Sequence, residues 1–337
     1  MQQVCIDGVF SSVFCSPFGV SQGSVLGPIL FNLYIQSLSD VFISCGMLPL
    51  SYADDNSGMI SFSSQFQLHF LTVEIPQCIS MINEWLDMHF LKINRSKTKV
   101  IIFGSPSFLS KISIQGCFLI TGECIRFSSV VKYLGTYFDS ELTFSDHIKS
   151  LTSSCNFHLR NIASIRRYLS DSDCAILIHS LITSRLDLCN FIFFGLSKSN
   201  LKKVQRIQNS AMRILTRNNK SKSLDEWFLH WHWLKIEQRI LFKIILITFK
   251  CVHSMYPLHI SSFLHVKNVV NLLLTEPYHA KSKFSKYSFA HAAPRLWNCL
   301  PVDIRLSAST TVLKKNLKTY LFSNCDDLMH NFNRYVQ

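Results

Sequence analysis

The spacing of apolar residues changes near residue 146, and this change constrains the fold more than any other feature of the sequence. Before it, short apolar runs alternate with turn-forming residues, a pattern typical of hairpins and small sheets. After it, apolar residues recur every three or four positions, which predicts amphipathic helices. The helical pattern is strongest over the segments 147–169, 171–185, 201–217 and 236–253. We therefore expect an α+β chain whose second part is mainly helical.

The first part combines hairpin signals with one loop that leads into a helix. Asp7-Gly8 lies between two short apolar runs, which is a strong hairpin signal. A glycine-rich segment, 19–24, precedes Gly27-Pro28 and an apolar stretch that continues to residue 38, which predicts a loop and then a helix. Further elements are expected as strands at 48–53, 58–62, 99–103, 113–115, 124–127 and 130–138, and as a helix at 79–90.

Charge is distributed unevenly along the chain. The 34 Lys and Arg against 21 Asp and Glu give a net charge of +13. Residues 1–90 hold seven acids and no base, so the remainder holds all 34 bases and 14 acids, a net charge of +20. Residues 197–223 carry eight bases and no acid. This distribution favours a cation-binding first part and a polyanion-binding second part, although a solvated helix face is the alternative for 197–223.

Cysteine spacing and hydropathy bear on the compartment. The twelve cysteines are scattered and form no Cys-x-x-Cys pair, which favours a reduced, intracellular protein. No apolar run approaches the ~18 residues of a membrane span. Lys243 and Lys250 interrupt the most apolar stretch, so we expect no membrane insertion. The tryptophans are expected to pack in a core rather than to stack on bases, and they include Trp227, Trp231, Trp233 and Trp297.

Asp54 and Asp55 are the residues that point most directly to chemistry. Two adjacent carboxylates repel each other, and on a tight turn after an apolar strand they favour a divalent cation. Mg²⁺ prefers such hard oxygen ligands, and carboxylates that hold two ions are the basis of two-metal phosphoryl transfer. A solvated Asp-Asp turn is the alternative for an isolated pair.

Six ordered motifs resemble those of the reverse transcriptases of non-LTR (LINE-type) retrotransposons, in particular jockey and CR1-type elements. They are 19–31, Tyr52-Ala53-Asp54-Asp55, 90–99, Lys132-Tyr133-Leu134-Gly135, 182–190 and 292–301. The resemblance covers nearly the whole chain. It implies a partial right-hand polymerase palm over 1–145, a mainly α-helical thumb over 146–225, and a helix-rich C-terminal region over 226–337 whose role stays open.

The resemblance also implies roles for individual residues. Asp54 and Asp55 are expected as metal ligands of the palm, and Lys97 as the acid that protonates the leaving pyrophosphate. Template and nucleotide contacts are expected from Gln22, Gly23, Ser24, Tyr52 and Ala53. The primer grip is expected at Tyr133, Leu134 and Gly135. Phosphate contacts are expected from Lys202, Lys203, Arg206, Arg213 and Arg217.

The family further implies two Mg²⁺ or Mn²⁺ ions, an RNA template, a DNA primer, deoxynucleoside triphosphates and a nuclear location. One expected palm aspartate from an upstream strand has no counterpart, because Asp7 matches a hairpin turn. That upstream aspartate would be a ligand of both metal ions, and its loss removes most of the stabilisation of charge in the transition state. We therefore expect little or no polymerase activity from this chain alone. The alternatives are a non-catalytic nucleic-acid-binding remnant and a decayed reading frame.

Overall fold

The protein is described by a computed structural model that covers residues 3, 5–14, 23–62, 73–110, 117–120, 123–219, 221–277 and 283–334. Helices and small antiparallel sheets alternate in the first part, and helices dominate the second, as the α+β expectation requires. The chain divides into two compact units, Met1–Ser128 and Ser129–Gln337. The expected strand 113–115 and residue Gln22 lie outside the described residues.

The first unit pairs hairpins with short helices. Its strands are β1 (Cys5–Ile6), β2 (Val9–Phe10), β3 (Leu48–Tyr52), β4 (Asp55–Met59), β5 (Cys117–Ile120) and β6 (Glu123–Arg126). Its helices are α1 (Gly27–Ile35), α2 (Leu38–Ser44), α3 (Ile75–Met88) and α4 (Pro106–Leu109). Each strand pairs antiparallel with its sequence neighbour. The buried core joins α1, α2 and α3 through Ile35, Leu38, Phe42, Met47, Cys78 and Trp85.

Several expected elements of the first unit have different bounds in the structure. The strand expected at 58–62 begins at Asp55, so the β3–β4 turn has two residues rather than four. The helix expected after Pro28 breaks at Gln36, and α2 begins two residues later at Leu38. The strand expected at 99–103 is reduced to a single bridge between Val100 and Phe127. The Asp7-Gly8 hairpin is confirmed, with Ile6 opposite Val9.

The second unit contains two hairpins and most of the helices. Its strands are β7 (Val130–Tyr133), β8 (Thr136–Asp139), β9 (Val266–Asn268) and β10 (Leu273–Leu274). Its first helices are α5 (Ser145–Ile165), α6 (Asp171–Ile178), α7 (Ser184–Asp187), α8 (Lys198–Leu215) and α9 (Leu224–His230). They are followed by α10 (Ile236–Val252), α11 (Leu258–Ser261), α12 (Lys283–Tyr287), α13 (Phe289–Asn298), α14 (Val302–Arg305) and α15 (Thr310–Arg334).

Helix α10 lies in the core of the second unit through a wide buried face. That face includes Ile240, Leu241 and Phe249, whereas Lys243 and Lys250 on the other side are half-buried. It packs against α8, α13 and α15. Trp297 on α13 is fully buried and donates its indole N–H to the Leu272 carbonyl at 2.6 Å. The core placement expected for the tryptophans is thus confirmed for Trp297 and for the buried Trp233.

The helices expected at 147–169 and 171–185 are each interrupted. Helix α5 ends at Ile165 and continues as one 3₁₀ turn, Arg166–Tyr168. A π-helical turn, His179–Thr183, lies between α6 and α7. Such a turn accommodates one extra residue and shifts the apolar face, so simple three-and-four spacing does not reveal it.

Stability of the second unit is expected to fall as pH drops below about 6.5. Burial lowers the pKa of His147, whose ring packs beside Tyr137 and Phe193 and whose Nδ1 accepts the Tyr137 backbone N–H at 3.3 Å. As pH falls, the His147 ring is therefore protonated in the unfolded chain before it is protonated in the folded one. The contribution of the neutral ring to stability is full above the ordinary pKa of histidine and is lost as pH falls from that value through the lowered pKa of the folded state. Thermal melts across this range check the trend.

A His147→Asn variant is the matched control for this prediction. Asparagine keeps an acceptor for the Tyr137 N–H but does not titrate. Its melting temperature should depend less on pH than that of the native chain. Equal pH dependence in both proteins would contradict the role of His147.

Candidate functional site

Asp54 and Asp55 lie at the tip of the β3–β4 hairpin. Tyr52 pairs with Asp55, which leaves Ala53-Asp54 as a two-residue turn. Ala53 has φ +54°, the left-handed region that a residue with a Cβ rarely adopts. Both carboxylates and the Tyr52 ring are exposed. The hairpin therefore presents two acids and one aromatic side chain to solvent through a turn that stores some backbone strain.

The base of this hairpin is fixed to the core of the first unit. A Cβ on Gly58 would lie 2.7 Å from the Phe42 ring and from the Met47 sulfur, so only glycine allows β4 to approach α2 this closely. Ser57 donates its hydroxyl to the Leu50 carbonyl at 3.2 Å across the two strands. Near the tip, Asn56 donates its amide to the Asp54 carbonyl at 3.3 Å. The hairpin is thus packed at one end and accessible at the other.

The donor chemistry at the tip suits a hard divalent cation. Two carboxylates offer four oxygen atoms, and no ion pair with a described Lys or Arg occupies them. Among the described residues, no three His, Cys, Asp or Glu side chains converge on one point. The residues in place therefore fit the ligand type of Mg²⁺ or Mn²⁺ but supply two carboxylates rather than a complete set.

The other site residues expected in the first unit lie on turns. Gly23 has φ +87° and precedes Ser24, whose carbonyl accepts the Gly27 N–H at 3.3 Å at the start of α1. Lys97 is exposed on a turn that begins at Asn94, with its backbone N–H 3.1 Å from the Asn94 carbonyl. No ion pair joins the Lys97 ammonium to Asp54 or Asp55, both of which the structure describes.

Tyr133, Leu134 and Gly135 form the tip of the β7–β8 hairpin, which belongs to the second unit although sequence analysis assigns it to the first domain. Leu134 and Gly135 both have positive φ, +44° and +85°, so the turn has the backbone form that favours glycine. A Cβ on Gly135 would lie 3.7 Å from the Leu188 side chain. The hairpin tip is therefore supported by the segment that follows α7.

The bases expected to contact phosphates lie on or just beyond α8, and all five are exposed. Lys203 donates to the Asn200 side chain at 3.1 Å. Arg217 is engaged elsewhere: it donates to the Leu169 carbonyl at 3.3 Å and lies 3.9 Å from the Asp171 carboxylate. Lys202, Arg206 and Arg213 form no ion pair with an acid in the described part of the chain.

Sequence reasoning missed the residue that holds α8 in place. Arg166 is almost fully buried, and its guanidinium donates to the carbonyls of Leu169, Ile214 and Leu215 and to the Asp171 carboxylate. The two α8 carbonyls belong to the last turn of the helix: the Ile214 carbonyl also accepts the Arg217 backbone N–H at 3.2 Å, whereas the Leu215 carbonyl is paired, among the described residues, with Arg166. Residue type does not distinguish Arg166 from its exposed neighbour Arg167; the one sequence signal is that Arg166 lies four residues after Ile162, in line with the buried stripe of α5.

A comparison with known families covers the four motifs between residues 19 and 135. Residues 7–138 match the family described as reverse transcriptase (RNA-dependent DNA polymerase). The RNA-directed DNA polymerase from mobile element jockey of Drosophila melanogaster is 27% identical over 62% of this chain and 23% of its own length. The probable RNA-directed DNA polymerase from transposon BS of the same species is 26% identical over 59% of this chain and 22% of its own length.

A further relative is the retrovirus-related Pol polyprotein from type-1 retrotransposable element R1 of Bradysia coprophila, 25% identical over 38% of this chain and 12% of its own length. No solved structure matches. No helix in the described ranges is long and apolar enough to cross a bilayer. The chain thus spans less than a quarter of the jockey and BS polymerases. Residues 7–138 are thus similar to the reverse transcriptase family, and the curated proteins that the chain resembles include the RNA-directed DNA polymerases of mobile element jockey and transposon BS.

Proposed function

We propose that this chain is part of an RNA-directed DNA polymerase that copies RNA from a DNA primer. The observation that carries the proposal is the β3–β4 hairpin: it exposes Asp54 and Asp55 side by side at its tip, within the segment that matches the reverse transcriptase family. The palm, thumb and C-terminal divisions at 145 and 225 are part of the same proposal.

The positions of the residues support the role proposed for each. Asp54 and Asp55 would hold divalent cations. In nucleotidyl transfer such cations activate the attacking oxygen and neutralise the negative charge that develops on the leaving oxygen. Tyr52 pairs with Asp55 and is exposed, so its ring can lie against the primer end or the incoming nucleotide. Gly23 and Ser24 offer close backbone approach, since glycine has no side chain to exclude a ligand.

The remaining roles concern the leaving group and the primer. Lys97 is exposed on its turn and can carry a proton to a leaving pyrophosphate. The β7–β8 tip at Tyr133, Leu134 and Gly135 would hold the primer end. Lys202, Lys203, Arg206 and Arg213 would position the nucleic acid through its phosphates without reading its sequence. Arg217 is assigned the weakest such contact, because its guanidinium already binds Leu169 and Asp171.

A specific observation favours a second candidate, a nucleic-acid-binding protein without catalysis. The exposed bases of α8 provide a polyanion surface that does not depend on the acidic hairpin. The described residues also bring two carboxylates together, not three. For this reason we expect the chain alone to extend primers at background rates.

The test is primer extension on an RNA template with Mg²⁺ or Mn²⁺. Residues 1–337 are compared with a version extended upstream toward the relatives' length, and each with its Asp54→Ala, Asp55→Ala double variant. We expect template-dependent extension by the extended protein, which the double variant abolishes. Binding of primer and template by the extended protein without any extension would instead support the non-catalytic candidate.

A further inference from the structure

An open groove runs along the contact between α5 and α8. It consists of two adjoining hollows of about 280 and 230 Å³ that share Asn156 on α5 and Ser210 on α8. Its floor is apolar, and Leu159, Ile207 and Ile214 contribute to it. The two helices make the most extensive helix–helix contact of the second unit, which keeps the floor closed and the groove shallow.

Both rims of the groove are polar or basic. Arg160 lies on the α5 side, and Lys203 and Arg206 lie on the α8 side. None of these three bases forms an ion pair with an acid in the ranges that the structure describes. The Asn156 amide forms no hydrogen bond with a described residue. The groove thus has unneutralised positive charge on two sides and a free amide between them.

An apolar floor between basic rims fits an unpaired nucleic-acid strand better than a duplex. A duplex presents phosphates outward and stacks its bases inside, so it meets the rims but cannot place apolar surface on the floor. An unpaired strand can lay sugars and base faces on Ala163 and Ile214, the apolar lining residues that reach the surface, while its phosphates reach Arg160 and Arg206. Because the floor has no donors arranged for base edges, little sequence preference is expected.

We propose that the α5–α8 groove binds a single-stranded segment of nucleic acid, with Arg160 and Asn156 of α5 completing a site whose other side is Lys203 and Arg206 of α8. This inference rests on the proposed function for its ligand class, and it names the strand form and the α5 residues. It requires neither the acidic hairpin nor any metal ion.

The experiment measures binding of labelled single strands of about 12 nucleotides, as DNA and as RNA, by fluorescence anisotropy in chelator. Arg160→Gln, Arg206→Gln is compared with Lys314→Gln, Lys315→Gln, an equal charge change on exposed residues of α15. We expect the groove variant to bind roughly tenfold more weakly near 0.1 M salt and to lose about 1.4 from its salt slope, since each lost phosphate contact on a single strand contributes about 0.7. The α15 variant should keep most of its affinity.

Two further measurements test the interpretation. Blunt duplex of the same length should compete less well than unlabelled single strand, and Arg160→Lys should retain part of the affinity. Because binding is measured in chelator and without nucleotide, a polymerase test that fails leaves this result unaffected. Equal loss in the groove and α15 variants, or a duplex that competes as well as the single strand, would overturn the proposal.

Discussion

Replacement of Arg166 by methionine is expected to lower the free energy of unfolding by about 2–3 kcal/mol. The guanidinium satisfies three backbone carbonyls and one carboxylate, and methionine fills similar volume but donates nothing. The Leu215 carbonyl loses its partner, which costs about 1–3 kcal/mol, whereas the Ile214 and Leu169 carbonyls each keep a donor from Arg217 and the ion pair with the exposed Asp171 contributes little. Urea denaturation followed by circular dichroism measures the change.

Arg167 provides a matched control at the adjacent position. It is exposed, and its guanidinium carbon lies 4.6 Å from the centre of the Tyr168 ring, over the ring face. Arg167→Met should therefore cost less than about 1 kcal/mol. Arg166→Lys should fall between the two, because an ammonium cannot reproduce the planar fork of four contacts. Similar losses at both positions would show that charge rather than the buried contacts sets the stability.

The second large effect is expected at Asp54. In the upstream-extended protein, Asp54→Asn should lower primer extension about a thousandfold, because several kcal/mol of charge stabilisation is lost and each 1.4 kcal/mol is tenfold. Asparagine preserves the size of the side chain and tolerates turn positions, so the hairpin should keep its register. Single-turnover extension rates at saturating nucleotide separate this effect from weaker binding.

Asp7→Asn is the control for Asp54→Asn, since Asp7 is also an exposed aspartate on a two-residue hairpin turn. Its turn pairs Ile6 with Val9, and we expect the variant to extend primers at the native rate. A comparable loss at Asp7 would mean that this residue is itself a ligand. An unchanged rate in Asp54→Asn would remove Asp54 from the proposed site.

Local sequence patterns account for much of the secondary structure. Asp-Gly predicts the first hairpin, and three-and-four spacing predicts α8 and α10 to within about three residues at either end. The second strand of the acidic hairpin begins earlier than expected, because Ala53 adopts a left-handed φ that its residue type does not suggest. The single bridge at Val100 likewise depends on a partner, Phe127, that lies far along the chain.

The proposed functional surfaces divide in the same way. The proximity of Tyr52, Asp54 and Asp55 could be predicted from the sequence because they lie within four residues at one turn. Arg166 and Arg160 could not, since what distinguishes each of them is a neighbouring helix: Arg166 reaches the end of α8, and Arg160 faces α8 across a groove. A run of basic residues in the sequence identifies a positively charged helix, but packing decides which of those residues are free to contact a phosphate. Arg217 is an example, because its guanidinium lies beside the Asp171 carboxylate.

Every described sheet in this protein is a two-stranded ribbon. Each strand therefore has one flank of backbone amides and carbonyls with no strand beside it in the described ranges, and such flanks readily accept strands from other molecules. Charged residues on strands and loops normally oppose such pairing, and they make up only 16% of this sequence. Concentrated solutions of the purified chain should for this reason tend toward intermolecular β-pairing, and low protein concentration with modest salt is the condition that keeps the ribbons separate.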